Sequence, residues 1–441
     1  FGPGFLDLLT ENHKRRFPTC ADEDRINNLS EHLIDSILER LPFQDVVRTS
    51  ILSKKWRYRW TRMRVLVLDK QFCQKIAKNG AYGRNGFIRI INQVLILHKG
   101  PISKFSLHIP KMYLYSFEEI DELMLCLSKN SVRELVLTNS NRRYELPSYV
   151  FSCIELRKLE LENCIFKPPL EFKGFFNVVN LFLKDIDFGA NSWETPFSLP
   201  HLKRLCLHTC TNVYNFNIKA KKLKTLIVIT CPQANVLRLL DSPCLTVIAL
   251  SFQKPIKDFV RVERVNLTIL LSKLPKIEQF YIDGHFSKFL SADKIPKWLP
   301  HAVNSLKHLL LLYFDLGDLD QLHGALCLLR NSPNLKRLYM KLTHKPQLHD
   351  DVGASSNHLE APGCLDQTLK RLQLADISLE GSRPELLFIK LVLAHSPSLK
   401  KFFIRPSGPH DAQKWFNIAK DTMQFPRASP NAETVYLNPK P

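Results

Sequence analysis

A short phrase, Leu-x-x-Leu-x-Leu with Ile, Val, Phe or Met allowed in place of Leu, recurs along the chain beyond residue 100 and limits the fold more than any other feature. The clearest copies are Leu156-x-x-Leu159-x-Leu161-x-x-Cys164, Leu202-x-x-Leu205-x-Leu207-x-x-Cys210 and Leu223-x-x-Leu226-x-Val228-x-x-Cys231. Further copies start at Ile102, Val132, Val178, Leu245, Ile277, Leu306, Leu335, Leu369 and Leu399, at intervals of about 21–34 residues. Self-similarity at such a period indicates a solenoid. Each copy supplies about four apolar side chains, each worth roughly 1.5–3 kcal/mol when buried. No copy can bury them alone. Stacked copies make a continuous core and a parallel sheet, share stability between neighbours, and need caps at both ends.

The segment before the repeats reads differently. Residues 1–22 carry Gly2, Pro3, Gly4 and the basic run Lys14-Arg15-Arg16 without periodicity, and are expected to form a flexible leader. The basic run is read as solvated charge, with a nuclear import signal as the alternative. From Asp24 onward, Leu33, Ile34, Ile37, Leu38 and Leu41 follow the spacing of an apolar helical stripe. Ser30 caps its start and Pro42 ends it. A second helix is expected near Asp45, with Val46, Val47, Ile51 and Leu52, and a third is expected to carry Trp56 and Trp60. Three short helices cannot hide all of these side chains in so small a unit, so part of the apolar surface is expected to dock another protein.

Lys and Arg total 62 against 42 Asp and Glu, a formal net charge of +20, which favours an acidic partner without choosing one. No apolar stretch approaches the roughly 18 residues that a membrane span requires. The N-terminus lacks a basic region followed by an apolar core, so no secretory signal is expected and the protein is placed in the nucleus, the cytoplasm or both. The 11 Cys form no Cys-x-x-Cys pair, and most are expected to be buried free thiols. His201, Cys206, His208 and Cys210 invite a zinc reading, but strand alternation sends Cys210 inward and Cys206 and His208 outward. No phosphate-binding Gly-rich loop, nucleophile elbow or His-Glu-x-x-His helix appears. Cys206, beside Arg204 and His208, is the one candidate for thioester chemistry, with a plain surface Cys as the alternative.

Two local resemblances give these elements a function. The run Asp24-Arg25-Ile26-Asn27-Asn28-Leu29-Ser30, Ile37-Leu38-Glu39-Arg40-Leu41-Pro42, Asp45, Arg48-Thr49-Ser50-Ile51-Leu52-Ser53 and Trp56-Arg57-Tyr58-Arg59-Trp60 resembles an F-box, the adaptor-binding module of cullin-type ubiquitin ligases. It departs from the usual pattern at Ser30, where the family has Pro. The Cys at the ninth position of the clearest repeats matches the Asn/Cys site of leucine-rich repeats. Near the C-terminus, Leu369 to Leu374, Gly381, Glu385 to Lys390, Ser396 to Leu399 and Phe425 to Pro430 resemble the FBD region of plant F-box/leucine-rich-repeat proteins.

The expected architecture is an α/β solenoid: a three-helix F-box at 23–67, a curved, irregular leucine-rich-repeat array with a parallel concave sheet at 68–364, whose first repeats lie near 100, and an FBD-like region at 365–441 that holds the last repeats and a C-terminal cap. A helix over 385–394, a strand over 400–405 and a covering helix over 412–423 are expected to close that end. The resemblance implies a non-catalytic substrate receptor that docks a Skp-family adaptor, and through it a cullin, with Leu29, Ile37, Leu38, Leu41, Pro42, Ile51, Leu52, Trp56 and Trp60 as adaptor-binding residues. Trp56 and Trp60 have a second reading, as the residues that hold the helices together. Alternation along the strands puts Tyr281, Arg337, Tyr339, Lys341, Arg371, Gln373, Phe403 and Arg405 on the outer face, as candidates for binding an acidic or phosphorylated target, with a solvated basic sheet carrying incidental aromatics as the alternative. No cofactor or metal is expected. Two alternatives use the same residues differently: a small-molecule or polyphosphate co-receptor with Arg337, Lys341, Arg371 and Arg405 as anion ligands, and a basic nucleic-acid-binding repeat protein.

Overall fold

The computed structural model describes residues 26, 28–78, 83–111, 116–189, 196–232, 234–253, 266–291, 295–343, 352–361, 363–365, 368–406 and 412–438. The leader at 1–22 and its basic run Lys14-Arg15-Arg16 lie outside them. The chain divides into two compact units, one of residues 1–191 with 195–202 and the other of 192–194 with 203–441.

The first unit opens with helix Glu31–Leu38, where Ser30 Oγ accepts from Leu33 N at 3.4 Å, as the capping rule predicts. Helix Phe43–Arg48 follows directly after Pro42, earlier than the sequence suggests. The third helix is absent as an α-helix: residues 53–58 turn, and only Arg59–Arg62 is helical, as a short 3-10 segment. Phe43 explains this departure, because the Trp60 ring meets it edge-on at 5.9 Å and Phe72 meets it at 5.4 Å. Folding Trp60 onto that centre takes precedence over regular helix.

Five parallel strands of the first unit follow in chain order: β1 (Val65–Leu68), β2 (Lys104–Ile109), β3 (Glu134–Asn139), β4 (Lys158–Glu162) and β5 (Asn180–Lys184). Their register stacks Leu66, Phe105, Leu135, Leu159 and Leu181 in one buried row. Among the described residues of the second unit, nine longer strands follow: β6 (Arg204–His208), β7 (Thr225–Ile229), β8 (Val247–Ser251), β9 (Gln279–Asp283), β10 (His308–Phe314), β11 (Arg337–Leu342), β12 (Leu374–Leu379), β13 (Lys401–Pro406) and β14 (Glu433–Tyr436). Here the buried row runs Leu205, Leu226, Ile248, Phe280, Leu309, Leu338, Ala375, Phe402. In every copy of the phrase but the one at Leu369, the strand begins two residues after its first apolar position.

The Cys at the ninth position has a structural cause. Asn163, Thr209 and Thr230 each adopt a left-handed conformation, with φ of 58°, 53° and 53°, and each directly precedes a buried Cys. The turn swings the thiol into the core, where Cys231 Sγ donates to Ile229 O at 3.2 Å and Cys164 Sγ to Glu162 O at 3.5 Å. A small thiol fills the corner and still reaches a carbonyl there.

Around the C-terminal end, helices Arg383–Ala394 and Ala412–Met423 and strand β13 lie where the sequence places them. Glu385 is buried at the start of the first helix, where Oε2 accepts from Gly381 N at 2.7 Å and Ser382 N at 2.8 Å; burial pushes its carboxyl above the ordinary carboxylate range. Strand β14 adds to the expected cap: Tyr436 and Thr422 share a hydroxyl hydrogen bond of 2.7 Å, tying helix Ala412–Met423 to it. Gly381 has φ of +90°, and a Cβ there would meet Ile418 of that helix. Gly381→Ala is therefore expected to cost about 1–3 kcal/mol, from backbone strain and overpacking, and to lower the urea midpoint of the second unit.

Candidate functional site

The N-terminal helical module buries one apolar face and leaves another open. Ile34 and Leu38 point into the unit, while Leu33 and Ile37, on the adjacent flank of the same helix, stay in solvent. Together with Ile26, Leu41, Ile51, Leu52 and Tyr58 they are 37–70% exposed, and Ile51 is the most exposed of them. Monomeric surfaces seldom gather so many large apolar side chains in one short segment. Pro42 is exposed beside them and Leu29 is half-buried. Leu38, Trp56 and Trp60 are only 0%, 3% and 4% exposed. Their side chains are spent on internal packing, which favours for the two tryptophans the reading that they hold the module together and corrects the placement of all three on a docking face. Arg59 fastens the module from the same stretch, with Nη2 at 2.6 Å from Glu31 and Nη1 at 3.6 Å from Asp35. His98 Nε2 bonds Met63 O at 2.7 Å and Lys99 N donates to Thr61 O at 2.7 Å, anchoring its end within the unit.

In the second unit, β9 to β13 set out a second surface. Register aligns Tyr281, Leu310, Tyr339, Asp376 and Phe403 in one row. A parallel row contains His308, Arg337, Leu374 and Lys401, and another contains Leu312, Lys341, Ser378 and Arg405. Six expected face residues, Tyr281, Arg337, Tyr339, Lys341, Phe403 and Arg405, thus share one side of the sheet. Arg371 and Gln373 do not: both precede β12, which starts at Leu374. The cause is a shift of three residues in the repeat, since Leu372, Ala375 and Ile377 fill the positions that Leu369, Leu372 and Leu374 were expected to fill. Asp376 and Ser378 occupy the face in their place.

Asp376 changes the chemistry of that face. Its carboxylate accepts from Arg405 Nε and Nη2, both at 2.8 Å, a bidentate pair that takes up the Arg405 charge within the chain. Lys341 Nζ lies 4.6 Å from the centre of the Tyr313 ring, a cation–π contact. Tyr281 Oη donates to Gln279 Oε1 at 2.6 Å, and burial pushes its pKa up. Of the four cations considered as polyphosphate ligands, Arg371 lies outside the strand and Arg405 already has its carboxylate.

Elsewhere, burial pushes the Cys73 thiol up to about 12 and the Cys327 thiol up to about 11, away from the thiolate that nucleophilic or thioester chemistry needs. Among the described residues no cluster of His, Cys, Asp or Glu is arranged to hold a metal ion, and no helix is long and apolar enough to cross a membrane.

Comparison with known proteins adds to this geometry. The F-box domain model matches residues 26–68, and the model for the LRR repeats of the FBD-associated F-box protein At5g56370 matches residues 120–340. The F-box/FBD/LRR-repeat protein At1g13570 of Arabidopsis thaliana is 31% identical over 94% of this chain and 98% of its own length. The putative FBD-associated F-box protein At5g50270 of the same plant is 25% identical over 89% of this chain and 99% of its own length. The solved structure of an LRR protein from Leptospira interrogans is 16% identical, covering 84% of this chain and 93% of that one, with a TM-score of 0.29.

Proposed function

We infer that this chain, which belongs to the F-box/FBD/LRR-repeat family, is the substrate-recognition subunit of an SCF-type ubiquitin ligase. F-box and LRR domains together suggest such a role in general, and F-box domains bind Skp-type adaptors. The observation that carries the reading here is the open apolar face of Ile37, Leu41, Pro42, Ile51 and Leu52 above a core closed by Leu38, Trp56 and Trp60. That face docks the adaptor, and the adaptor links the chain to a cullin. The open face of β9 to β13 binds the target. The chain contributes no reacting group; holding the target near the ubiquitin-carrying enzyme raises the effective concentration of its lysines.

Co-expression with a Skp-family adaptor followed by gel filtration tests the assignment. A stoichiometric complex is expected at micromolar concentration. A chain that elutes alone, well folded by circular dichroism, would defeat it.

A further inference from the structure

We propose that strand β11 is the centre of a docking surface for an acidic segment of the target protein, one in which an apolar side chain is flanked by carboxylates two residues away on either side. The proposal rests on the substrate-receptor reading and narrows it.

Alternate residues of a strand share a face, so β11 presents Arg337, Tyr339 and Lys341 on the open side, about 6.6 Å apart in succession. The aromatic ring stands between two cations. Register places Leu310 of β10 on one side of Tyr339 and Asp376 of β12 on the other, with Phe403 of β13 beyond it. An apolar side chain set down at Tyr339 therefore meets the ring and Leu310, with the Asp376 carboxylate beside them already paired to Arg405. Carboxylates flanking it in an extended chain fall about 13 Å apart, the separation of Arg337 from Lys341.

Charge pairing sets this strand apart from those of the first unit. On the corresponding face of the first unit the lysines are matched: Lys104 with Glu134 at 3.5 Å, Lys158 with Glu160 at 2.9 Å and Lys184 with Glu162 at 2.7 Å. Around β11, Lys307 has Glu278 at 2.7 Å, Lys401 has Glu433 at 3.8 Å, and Arg405 has Asp376. Arg337 is exposed and has no acidic partner among the described residues, and the same holds for Lys336 beside it and Lys400 two strands on. The positive potential is felt locally. Burial is the main cause that lowers the pKa of His308, and Arg337, Lys307 and Lys336 lower it further against the opposing effect of Glu278.

An acidic protein segment fits this pattern better than nucleic acid does. Glu278, Asp376 and Glu433 divide the positive charge into separate points, whereas a phosphate backbone gains affinity with each successive phosphate neutralised. Arg337 can pair bidentately with one carboxylate, and Lys341 serves as a point charge for the other.

Fluorescence anisotropy on the full chain tests the proposal with a labelled peptide, Gly-Ser-Glu-Ser-Leu-Ser-Glu-Ser-Gly. Arg337→Glu is expected to weaken binding about tenfold or more, and Arg337→Lys less. Arg204→Glu, an exposed charge reversal on β6, is expected to leave binding unchanged. Replacing the central Leu of the peptide by Ser is expected to weaken binding several-fold. Lys341→Gln is a second variant, expected to weaken binding whether or not Arg337→Glu folds. The proposal is overturned by no measurable binding to wild type, by equal binding of Arg337→Glu or Lys341→Gln with an unchanged thermal midpoint, by equal binding of the Leu-to-Ser peptide, or by tighter binding of an oligouridylate of equal charge. Adaptor capture measured on the same preparation keeps the two readings apart. Captured adaptor with no peptide binding removes this proposal alone, and failed capture removes the receptor assignment.

Discussion

Replacing Ile51 and Leu52 together by Asp is expected to abolish adaptor capture, a loss of at least a hundredfold in affinity, while the thermal unfolding midpoint stays within about 2 °C of wild type. The argument starts from exposure: both side chains stand largely in solvent, so removing them costs the isolated chain little. In a complex the balance reverses. Each buried aliphatic side chain contributes roughly 1.5–3 kcal/mol. An Asp set against an apolar partner adds the penalty of an unpaired buried charge. A hundredfold corresponds to about 2.7 kcal/mol, which the loss of both aliphatic side chains alone can supply. The opposing effect within the chain is small, since a carboxylate near the end of the Thr49–Ile51 turn meets an unfavourable dipole worth about 0.3–1 kcal/mol. Trp60→Ala would also abolish capture, but through unfolding of the module, with a falling midpoint as its signature. Adaptor binding by the double Asp variant at wild-type strength would show that docking does not use this face.

The repeat phrase makes most of the sheet legible, because its core positions are large apolar residues in most of the strands. Where it failed, side-chain size and polarity explain the failure. Ala375 is a core residue too small to register as one, so the phrase at Leu369 falls three residues early, and Arg371 and Gln373 take the face that belongs to Asp376 and Ser378. Strand β1 carries the same phrase, Met63-x-x-Leu66-x-Leu68, but the phrase straddles the expected end of the helical module at residue 67, which hides it. Strand β14 places Thr434 opposite Phe402 and Tyr436 opposite Ile404, so polar groups occupy its core positions and periodicity is blind to it.

In the helical module the difficulty is symmetry. Helix Glu31–Leu38 carries two apolar pairs four residues apart, Ile34 with Leu38 and Leu33 with Ile37, and spacing alone cannot say which pair faces inward. The tryptophans had two readings for a related reason. An aromatic residue is equally at home in a core and in an interface; the Phe43 ring decides for Trp60, and burial decides for Trp56. On the face of β9 to β13, alternation identifies six outward positions but not their pairing. Whether Arg405 is available depends on Asp376, a neighbour 29 residues away in sequence.

Asp283→Ala is expected to destabilise the second unit by about 3–5 kcal/mol while leaving adaptor capture intact. The Asp283 side chain is fully buried, and four donors converge on its carboxylate. Oδ2 accepts from Ser251 Oγ at 2.6 Å, Phe252 N at 3.0 Å and Gln253 N at 2.8 Å; Oδ1 accepts from Phe286 N at 2.8 Å. One side chain thus holds the end of β8, fixes Gln253 in its left-handed conformation at φ 59°, and caps helix Gly284–Leu290. Losing the cap costs about 0.5–2 kcal/mol. Buried donors left without an acceptor cost about 1–3 kcal/mol each, less whatever local relaxation recovers. Asp283→Asn retains one oxygen and is expected to lose about half as much, because its amide turns a donor toward groups that are themselves donors. Urea unfolding measures the total. Hydrogen exchange at the amides of Phe252, Gln253 and Phe286 locates it, with protection at those sites expected to fall furthest. The helical module belongs to the first unit, so its capture of the adaptor is independent of this network and serves as the internal control. A stability change below about 1 kcal/mol, with exchange at those amides unaltered, would mean that the strand ends are held by backbone pairing alone and that the buried carboxylate is dispensable.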